Sequence, residues 1–387
     1  MRKFHKTRFS RIKGVAAQNM IIGVPKEIKK DENRISVIPG AVSSLVQAGH
    51  RVLIQQGAGL GSSISDEAFL KAGGEIVPSL EAVYNQADLI YKVKEPQLEE
   101  YDLLREGQIL FAFLHLAAEP EVTEVLIRKK VAAFAYETVQ INGSIPILAP
   151  MSEVAGRMAT QVGSHFLEKA YGGKGIMLGG VPGVAPAEVT VIGGGIVGVN
   201  AAKIAVGMGA RVTILDIDTQ RLRYLDDLFR GRVLTLASNP YNFALAVART
   251  DLLIGAVLIP GARAPKLCTE EMIKSMTPGS VIVDVAVDQG GCVETIDRTS
   301  CHSDPTYEKY GVLHYAVPNM PGAVPLTSTY ALSNVSLPFC LELAQKGYIR
   351  VIEEKSPLSR GLNVFEGKVA HKAVAEALEL PFVSVCY

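Results

Sequence analysis

Val189-Thr-Val-Ile-Gly193-Gly-Gly195-Ile-Val-Gly198 reads as an apolar strand, a glycine-rich turn and the opening of a helix. The spacing is G-x-G-x-x-G and its context is complete. A helical run continues to Met208, Gly209-Ala210 turns the chain, and a second strand ends at Asp216. Gly193 makes the tight turn, Gly195 lets a pyrophosphate approach the backbone, and Gly198 lets the helix pack on its strand. The helix N-terminus offers unbonded N–H groups and a partial positive charge to phosphates. Asp216 follows at about the distance, roughly 20 residues, where a carboxylate accepts bonds from ribose hydroxyls and repels a 2′-phosphate. The stretch predicts a dinucleotide site that takes NAD in preference to NADP. A second cluster, Gly57-Ala-Gly59-Leu-Gly61, brings its third glycine one residue early and reads as a plain turn.

Outward from the fingerprint, strands and helices alternate in both directions. Downstream and upstream of Asp216 the expected strands are Glu188–Ile192, Arg211–Asp216, Arg232–Leu236, Asp251–Val257, Ser280–Val287 and Val312–Val317. Six such strands suit a doubly wound, Rossmann-type sheet. Nearer the N-terminus, Met20–Val24, Arg51–Gln55, Asp88–Lys94, Gln108–Leu116 and Val131–Val139 form another series, with a helix opening at Pro39 and ending at Gly49. Strand–helix alternation means a parallel sheet covered by helices. Ser152 is expected to cap a long helix over 153–170, and a second long helix covers 328–345. The last forty or so residues are too few for a domain and are expected to return to the first one. The chain therefore divides into a basic extension (1–19), the first part of an α/β substrate domain (20–148), the Rossmann NAD-binding domain (149–324), and a connecting helix with the return (325–387).

Composition supports this and excludes much else. The 387 residues are 48% hydrophobic and 20% charged, a folded rather than a disordered profile. Thirty-nine basic residues balance thirty-nine acidic ones, so there is no field for nucleic acid or an anionic membrane. The positive mean hydropathy does not come from a membrane span. The longest low-charge region, Gly175–Ala202, is broken by Pro182, Pro186 and Glu188 and offers no continuous apolar helix of about 20 residues. Cys268, Cys292, Cys301, Cys340 and Cys386 are odd in number with no CxxC pair; they read as reduced thiols of a cytoplasmic protein, with no metal site. Residues 1–19 carry six basic groups and no acid, leaving 33 basic against 39 acidic residues in the rest. They lack the apolar segment of a signal peptide and read as an extension before a folded protein that opens at Met20.

In an open parallel sheet, ligands bind outside the carboxyl ends of the strands. Arg34, in the charged loop Asp31-Glu-Asn-Arg34, His115 at the end of an apolar run, and Lys94 at the end of Asp88–Lys94 all stand there. Asp288 follows Ser280–Val287 and faces the same crevice if the domains close. Each has a plainer reading: a solvated arginine, a histidine bonded within the core, an aspartate shaping a turn before Gly290-Gly291. Alternation alone does not choose between Lys92 and Lys94, which share a strand face.

The stretches Gly23-Val-Pro-Lys-Glu27, Asn33-Arg34, Val93-Lys94-Glu-Pro96, Phe113-Leu-His115-Leu-Ala, Ala149-Pro-Met-Ser-Glu-Val-Ala-Gly156, Val283-Asp-Val-Ala-Val-Asp288-Gln-Gly-Gly291 and Asn319-Met-Pro321 closely resemble the alanine dehydrogenase family. The likeness runs from Met20 to the C-terminus. It implies that Arg34 and Lys94 bind the substrate carboxylate and carbonyl oxygen, that His115 and Asp288 are the acid/base pair, and that Ser152 and Asn319 lie in loops around the cofactor. It also implies two α/β domains with a cleft, interconversion of L-alanine with pyruvate and ammonia, NAD as cofactor, and a homohexamer. The chemistry agrees. An arginine forks onto a carboxylate, a lysine polarises a carbonyl, an imidazole moves protons near neutrality, and the hydride chemistry belongs to NAD. The NAD-binding portion of proton-translocating transhydrogenase also resembles the chain, but that relative lacks the histidine and works with a membrane partner. Saccharopine dehydrogenase is more distant. A non-catalytic NAD-binding module is the reading from another class, and the joint presence of Arg34, Lys94, His115 and Asp288 argues against it.

Overall fold

The computed structural model describes residues 19–257 and 264–385, with the side chains of Asp288 and Gln289 outside the description. Apart from Asn19, the basic extension 1–19 lies outside the described residues, as does Cys386.

The described residues form two sheets. The first six strands are β1 (Ile21–Val24), β2 (Arg51–Gln55), β3 (Glu75–Val77), β4 (Leu89–Tyr91), β5 (Ile109–Ala112) and β6 (Ala132–Ala135). The next seven are β7 (Glu188–Ile192), β8 (Arg211–Asp216), β9 (Val233–Ala237), β10 (Leu252–Gly255), β11 (Val281–Asp284), β12 (Thr306–Lys309) and β13 (Val312–Tyr315). The chain then returns to the first sheet with β14 (Leu362–Phe365) and β15 (Lys368–Val369). The eight-stranded sheet runs β15-β14-β6-β5-β4-β1-β2-β3 and the seven-stranded one β12-β13-β11-β10-β7-β8-β9.

Each sheet reverses its winding once, between β1 and β4 in the first and between β7 and β10 in the second. Such a reversal splays the two following loops apart and opens a crevice at the strands' carboxyl ends. The loop after β1 carries Arg34 and the loop after β4 carries Lys94; the loop after β7 carries Gly193 to Gly195, with Gly198 in the first turn of the helix that follows. Topology therefore puts the substrate candidates at one switch point and the nucleotide fingerprint at the other.

Apolar runs on β4, β5, β6, β10 and β11 are buried along their whole length, as strands covered by helices on both faces must be. The covering is continuous across the chain's return. Leu332, Cys340 and Leu343 of the long helix Pro325–Glu353 enter the same core as Ile22, Tyr91 and Phe111. That helix breaks at Gly347, whose φ of 71° no interior helical residue adopts. The four described cysteines, Cys268, Cys292, Cys301 and Cys340, are unpaired. No helix among the described residues is long and apolar enough to cross a membrane.

Three local expectations are corrected. The nucleotide sheet has a seventh strand, β12, antiparallel to β13 across the Tyr310-Gly311 turn. The first long helix spans Ala149–Phe166, with Pro150 in its opening turn and Leu148 at the cap. Ser152 is thus inside the helix and caps nothing, because proline's fixed φ and absent N–H suit the first turn and start the helix earlier. Finally β4 ends at Tyr91, so Lys92 and Lys94 sit in the loop beyond it, and strand alternation does not govern them.

Candidate active site

The fingerprint has the steric signature of a built phosphate cradle. Gly193 has φ +95°, and a Cβ there would lie 2.8 Å from the Ala256 carbonyl oxygen across the switch point. A Cβ on Gly198 would lie 1.9 Å from the Gly193 carbonyl oxygen, so only glycine lets the helix Ile196–Gly207 sit so low on β7. Gly195 is different: a Cβ there would meet nothing within 4 Å. Its backbone faces open space at the helix N-terminus, where a pyrophosphate needs room. Asp216 lies directly beside this cradle, its carboxylate accepting the Gly194 N–H at 2.7 Å and the Asp218 N–H at 2.9 Å.

The first connecting helix ties the cradle to the substrate side. A Cβ on Gly156 would fall 2.1 Å from the Val197 carbonyl oxygen, so the helices Ala149–Phe166 and Ile196–Gly207 cross backbone to backbone. The half-buried Ser152 lies one turn before that crossing, and its hydroxyl has no hydrogen-bond partner among the described residues.

Arg34 is not a solvated loop residue. It is 2% exposed. Its Nε and Nη2 donate to the two oxygens of Glu32 at 2.6 and 2.5 Å. Nη2 also donates to Asn319 Oδ1 at 3.0 Å, and Nη1 approaches Met151 Sδ at 3.1 Å. Asn319 Nδ2 closes the ring by donating to Glu32 Oε2 at 3.2 Å. A buried guanidinium needs such compensation. Burial raises the Glu32 carboxyl, but the Arg34 hydrogen bonds and charge outweigh it and hold the group below its usual range. One fork of Arg34, Nε with Nη2, is therefore filled by Glu32, and the Nη1–Nη2 end meets Met151 and Asn319. Asn319, at φ 54° after β13, brings the nucleotide domain's loop onto this pair. The glycine-rich turn at Gly57–Gly61 proves structural: a Cβ on Gly61 would lie 2.7 Å from the Asn33 carbonyl oxygen, and Ser62 donates to that oxygen.

The two lysines separate cleanly. Lys92 is fully buried and donates to both oxygens of Glu100 at 2.7 and 2.6 Å, with Glu27 at 3.6 Å. It is a structural cation. Lys94 has no hydrogen-bond or ion-pair partner for its ammonium among the described residues. Burial, then the neighbouring charge of Arg34, holds it below the usual lysine range. An unpaired, partly desolvated cation beside a guanidinium is where an anionic or carbonyl ligand gains most.

Nor is His115 a core residue. Its side chain is 45% exposed and its backbone is left-handed, φ 49° and ψ 37°. That conformation is uncommon outside glycine and is held by Glu137, whose Oε1 accepts the His115 N–H at 2.6 Å. The same oxygen stands 3.9 Å from His115 Nδ1, and the ring stacks on Phe113 with centroids 6.0 Å apart. His115 is one strand over from the lysine loop, since the Phe113 N–H donates to the Val93 carbonyl at 3.0 Å. No contact joins it to Arg34 or Lys94 among the described residues.

Asp288 lies in the tight turn Val285–Gln289 after β11, its side chain outside the described residues. What shapes that turn is Asp284, which accepts the Ala286, Cys292 and Val293 N–H groups at 2.9, 2.7 and 3.3 Å. Glu32, Glu137 and Asp284 were not singled out from the sequence. Only Glu32 left a signal, as an acid two residues from the arginine it pairs with.

Known proteins match this arrangement over nearly its whole length. Residues 23–155 match the profile described as Alanine dehydrogenase/PNT, N-terminal domain, and residues 159–372 that of the C-terminal domain. An alanine dehydrogenase of Methanococcus maripaludis is 60% identical over 94% of this chain and 98% of its own. One from Bacillus subtilis is 58% identical, covering 94% and 96%. Among solved structures, an L-alanine dehydrogenase superposes with a TM-score of 0.90 at 51% identity, covering 93% of this chain and 99% of that one. A transhydrogenase from Sinorhizobium meliloti superposes at 0.76 with 25% identity, covering 91% and 99%. With two domain profiles spanning nearly all of it and relatives this similar end to end, the chain belongs to the alanine dehydrogenase/PNT family.

Proposed function

We propose that the protein catalyses the NAD-dependent oxidative deamination of L-alanine to pyruvate and ammonia, and the reverse reductive amination. The observation that carries this is the meeting of an unpaired Lys94 and a buried Arg34 with the nucleotide domain through Asn319. Residues 20–148 and 325–387 form the substrate domain in this reading, and 149–324 the cofactor domain. The cradle Gly193–Gly198 holds the pyrophosphate, Asp216 exchanges its bond to Gly194 for the ribose hydroxyls, and Ser152 and Asn319 border the cofactor. NAD held there would supply the hydride acceptor for the Cα hydrogen.

The chain's own residues do the rest. Arg34 binds the substrate carboxylate at its Nη1–Nη2 end, displacing Asn319 and Met151, while Glu32 keeps the other edge rigid. Lys94 donates to the oxygen that becomes the pyruvate carbonyl and stabilises charge building there. His115, held by Glu137 and open to the cleft, carries the proton as the amine is released and water is added, with Asp288 completing the acid/base pair. The transhydrogenase reading is weaker because His115 is present and solvent-open. By resemblance to the family, the enzyme acts in the cytoplasm as a homohexamer.

A panel of L-amino acids with NAD and NADP tests the proposal. Reduction is expected with alanine and NAD, and far more slowly with NADP because Asp216 faces the 2′ position. No reduction with alanine rejects the activity, and equal efficiency with both cofactors rejects the role of Asp216.

A further inference from the structure

Glu27, next to the substrate loops yet out of reach of solvent, is a buried titratable group that the mechanism leaves unused. Its Oε1 accepts the Val93 N–H at 2.5 Å and the Lys94 N–H at 3.4 Å. Its Oε2 is sealed from solvent and has no hydrogen-bond partner among the described residues. The neighbouring Lys92 ammonium, 3.6 Å away, gives its bonds to Glu100 instead. The rest of the loop is also pinned: Tyr136 Oη donates to the Lys92 carbonyl at 2.9 Å, and the Phe113 N–H to that of Val93. The Lys94 ammonium has no partner among the described residues.

We propose that Glu27 is a positioning residue for Lys94: its carboxylate fixes the backbone from which Lys94 reaches the substrate, so that a carboxyl touching no substrate controls substrate affinity. This rests on the dehydrogenase reading and names a residue it does not include. The geometry makes the control dependent on charge, because an ionised carboxylate accepts the two N–H groups more strongly than a neutral acid does. Burial pushes the Glu27 carboxyl up to about 7, opposed by the charge of Lys92 and reinforced by that of Glu100. The other ionisable groups around it are Glu32 on its own loop, Tyr84 and Tyr136. A raised carboxyl loses its charge as pH falls through that value, so the hold on Lys94 is present above neutrality and relaxes below it.

The test uses oxamate, a non-reacting pyruvate analogue whose own charge is constant between about pH 6 and pH 8. Its inhibition constant against pyruvate is measured across that range at saturating NADH, together with kcat and pyruvate KM. In the wild type, oxamate binding is expected to weaken by about three- to tenfold as pH falls, the worth of one hydrogen bond. In Glu27→Gln, which keeps an acceptor but cannot ionise, binding stays at the weak value at every pH. There kcat falls together with affinity, because the same Lys94 ammonium serves the bound substrate and the charge that builds on it, and NADH binding is unchanged. Glu27→Asp, the second variant, restores the pH limb. A flat wild-type profile overturns the proposal without any variant. A limb that persists in Glu27→Gln belongs to another group and also overturns it, as does a loss confined to kcat. Wild-type protein that turns over no pyruvate sinks the dehydrogenase reading and this proposal together. Normal turnover with Glu27→Gln indistinguishable from wild type sinks the positioning role alone.

Discussion

Replacing His115 with asparagine lowers kcat for alanine oxidation by about 10²- to 10⁴-fold, the usual cost of losing a general acid/base. Asparagine is the informative substitution because it tolerates the left-handed backbone that His115 adopts at φ 49°, which alanine does not share. It therefore leaves the Glu137 bond to the backbone N–H intact and removes only the ring. The side chain is 45% exposed, so little packing is lost and the melting temperature is expected to hold within a few degrees. NADH binding is expected to be unchanged, since Gly193–Asp216 belongs to the other sheet. A stable variant with wild-type turnover contradicts the assignment. A variant that is inactive only because it has unfolded shows itself by losing NADH binding as well.

The second large effect is expected at Lys94. Lys94→Met keeps the length of the side chain and deletes the ammonium. With no internal partner to abandon, the fold loses nothing, and relief from the neighbouring Arg34 charge holds or slightly raises stability. Catalysis is expected to fall by about 10²- to 10³-fold in kcat, as for other groups that stabilise charge on a reacting oxygen. Lys92→Met makes the contrast. It strands Glu100 without its cation in a fully buried site, which costs about 3–5 kcal/mol of stability. Thermal melts and steady-state rates on the pair test whether Lys94 serves catalysis and Lys92 the fold. Equal losses of activity at equal stability contradict the separation.

The same pair shows what the sequence holds and what it conceals. The nucleotide site was legible because glycine spacing encodes sterics directly: Gly193 and Gly198 are glycine for contacts of 2.8 and 1.9 Å that any Cβ would make. Positions at strand ends were legible too, since a doubly wound sheet brings its carboxyl-end loops to a crevice wherever its order reverses. What the side chains do there was not. Lys92 and Lys94 differ only in which acid lies near them, and Glu100 reaches Lys92 from a separate helix. Arg34 resembled a solvated loop cation until Glu32, Met151 and Asn319 closed around it, two of them more than a hundred residues away. The exposure of His115 depended on β5 ending at Ala112, well short of the Leu116 at which the apolar run suggests an end. The seventh strand of the nucleotide sheet was missed because Thr306–Lys309 is short and mostly polar.

The measurement that bears most directly on the central claim follows the Cα hydrogen. L-Alanine deuterated at Cα is incubated with NAD and the protein, and the products are quantified by NMR and mass spectrometry. The account predicts that deuterium passes to the nicotinamide ring, with pyruvate and ammonium formed in equal amounts to the reduced cofactor. Binding of NAD without reduction, or reduced cofactor carrying no deuterium from Cα, would contradict it.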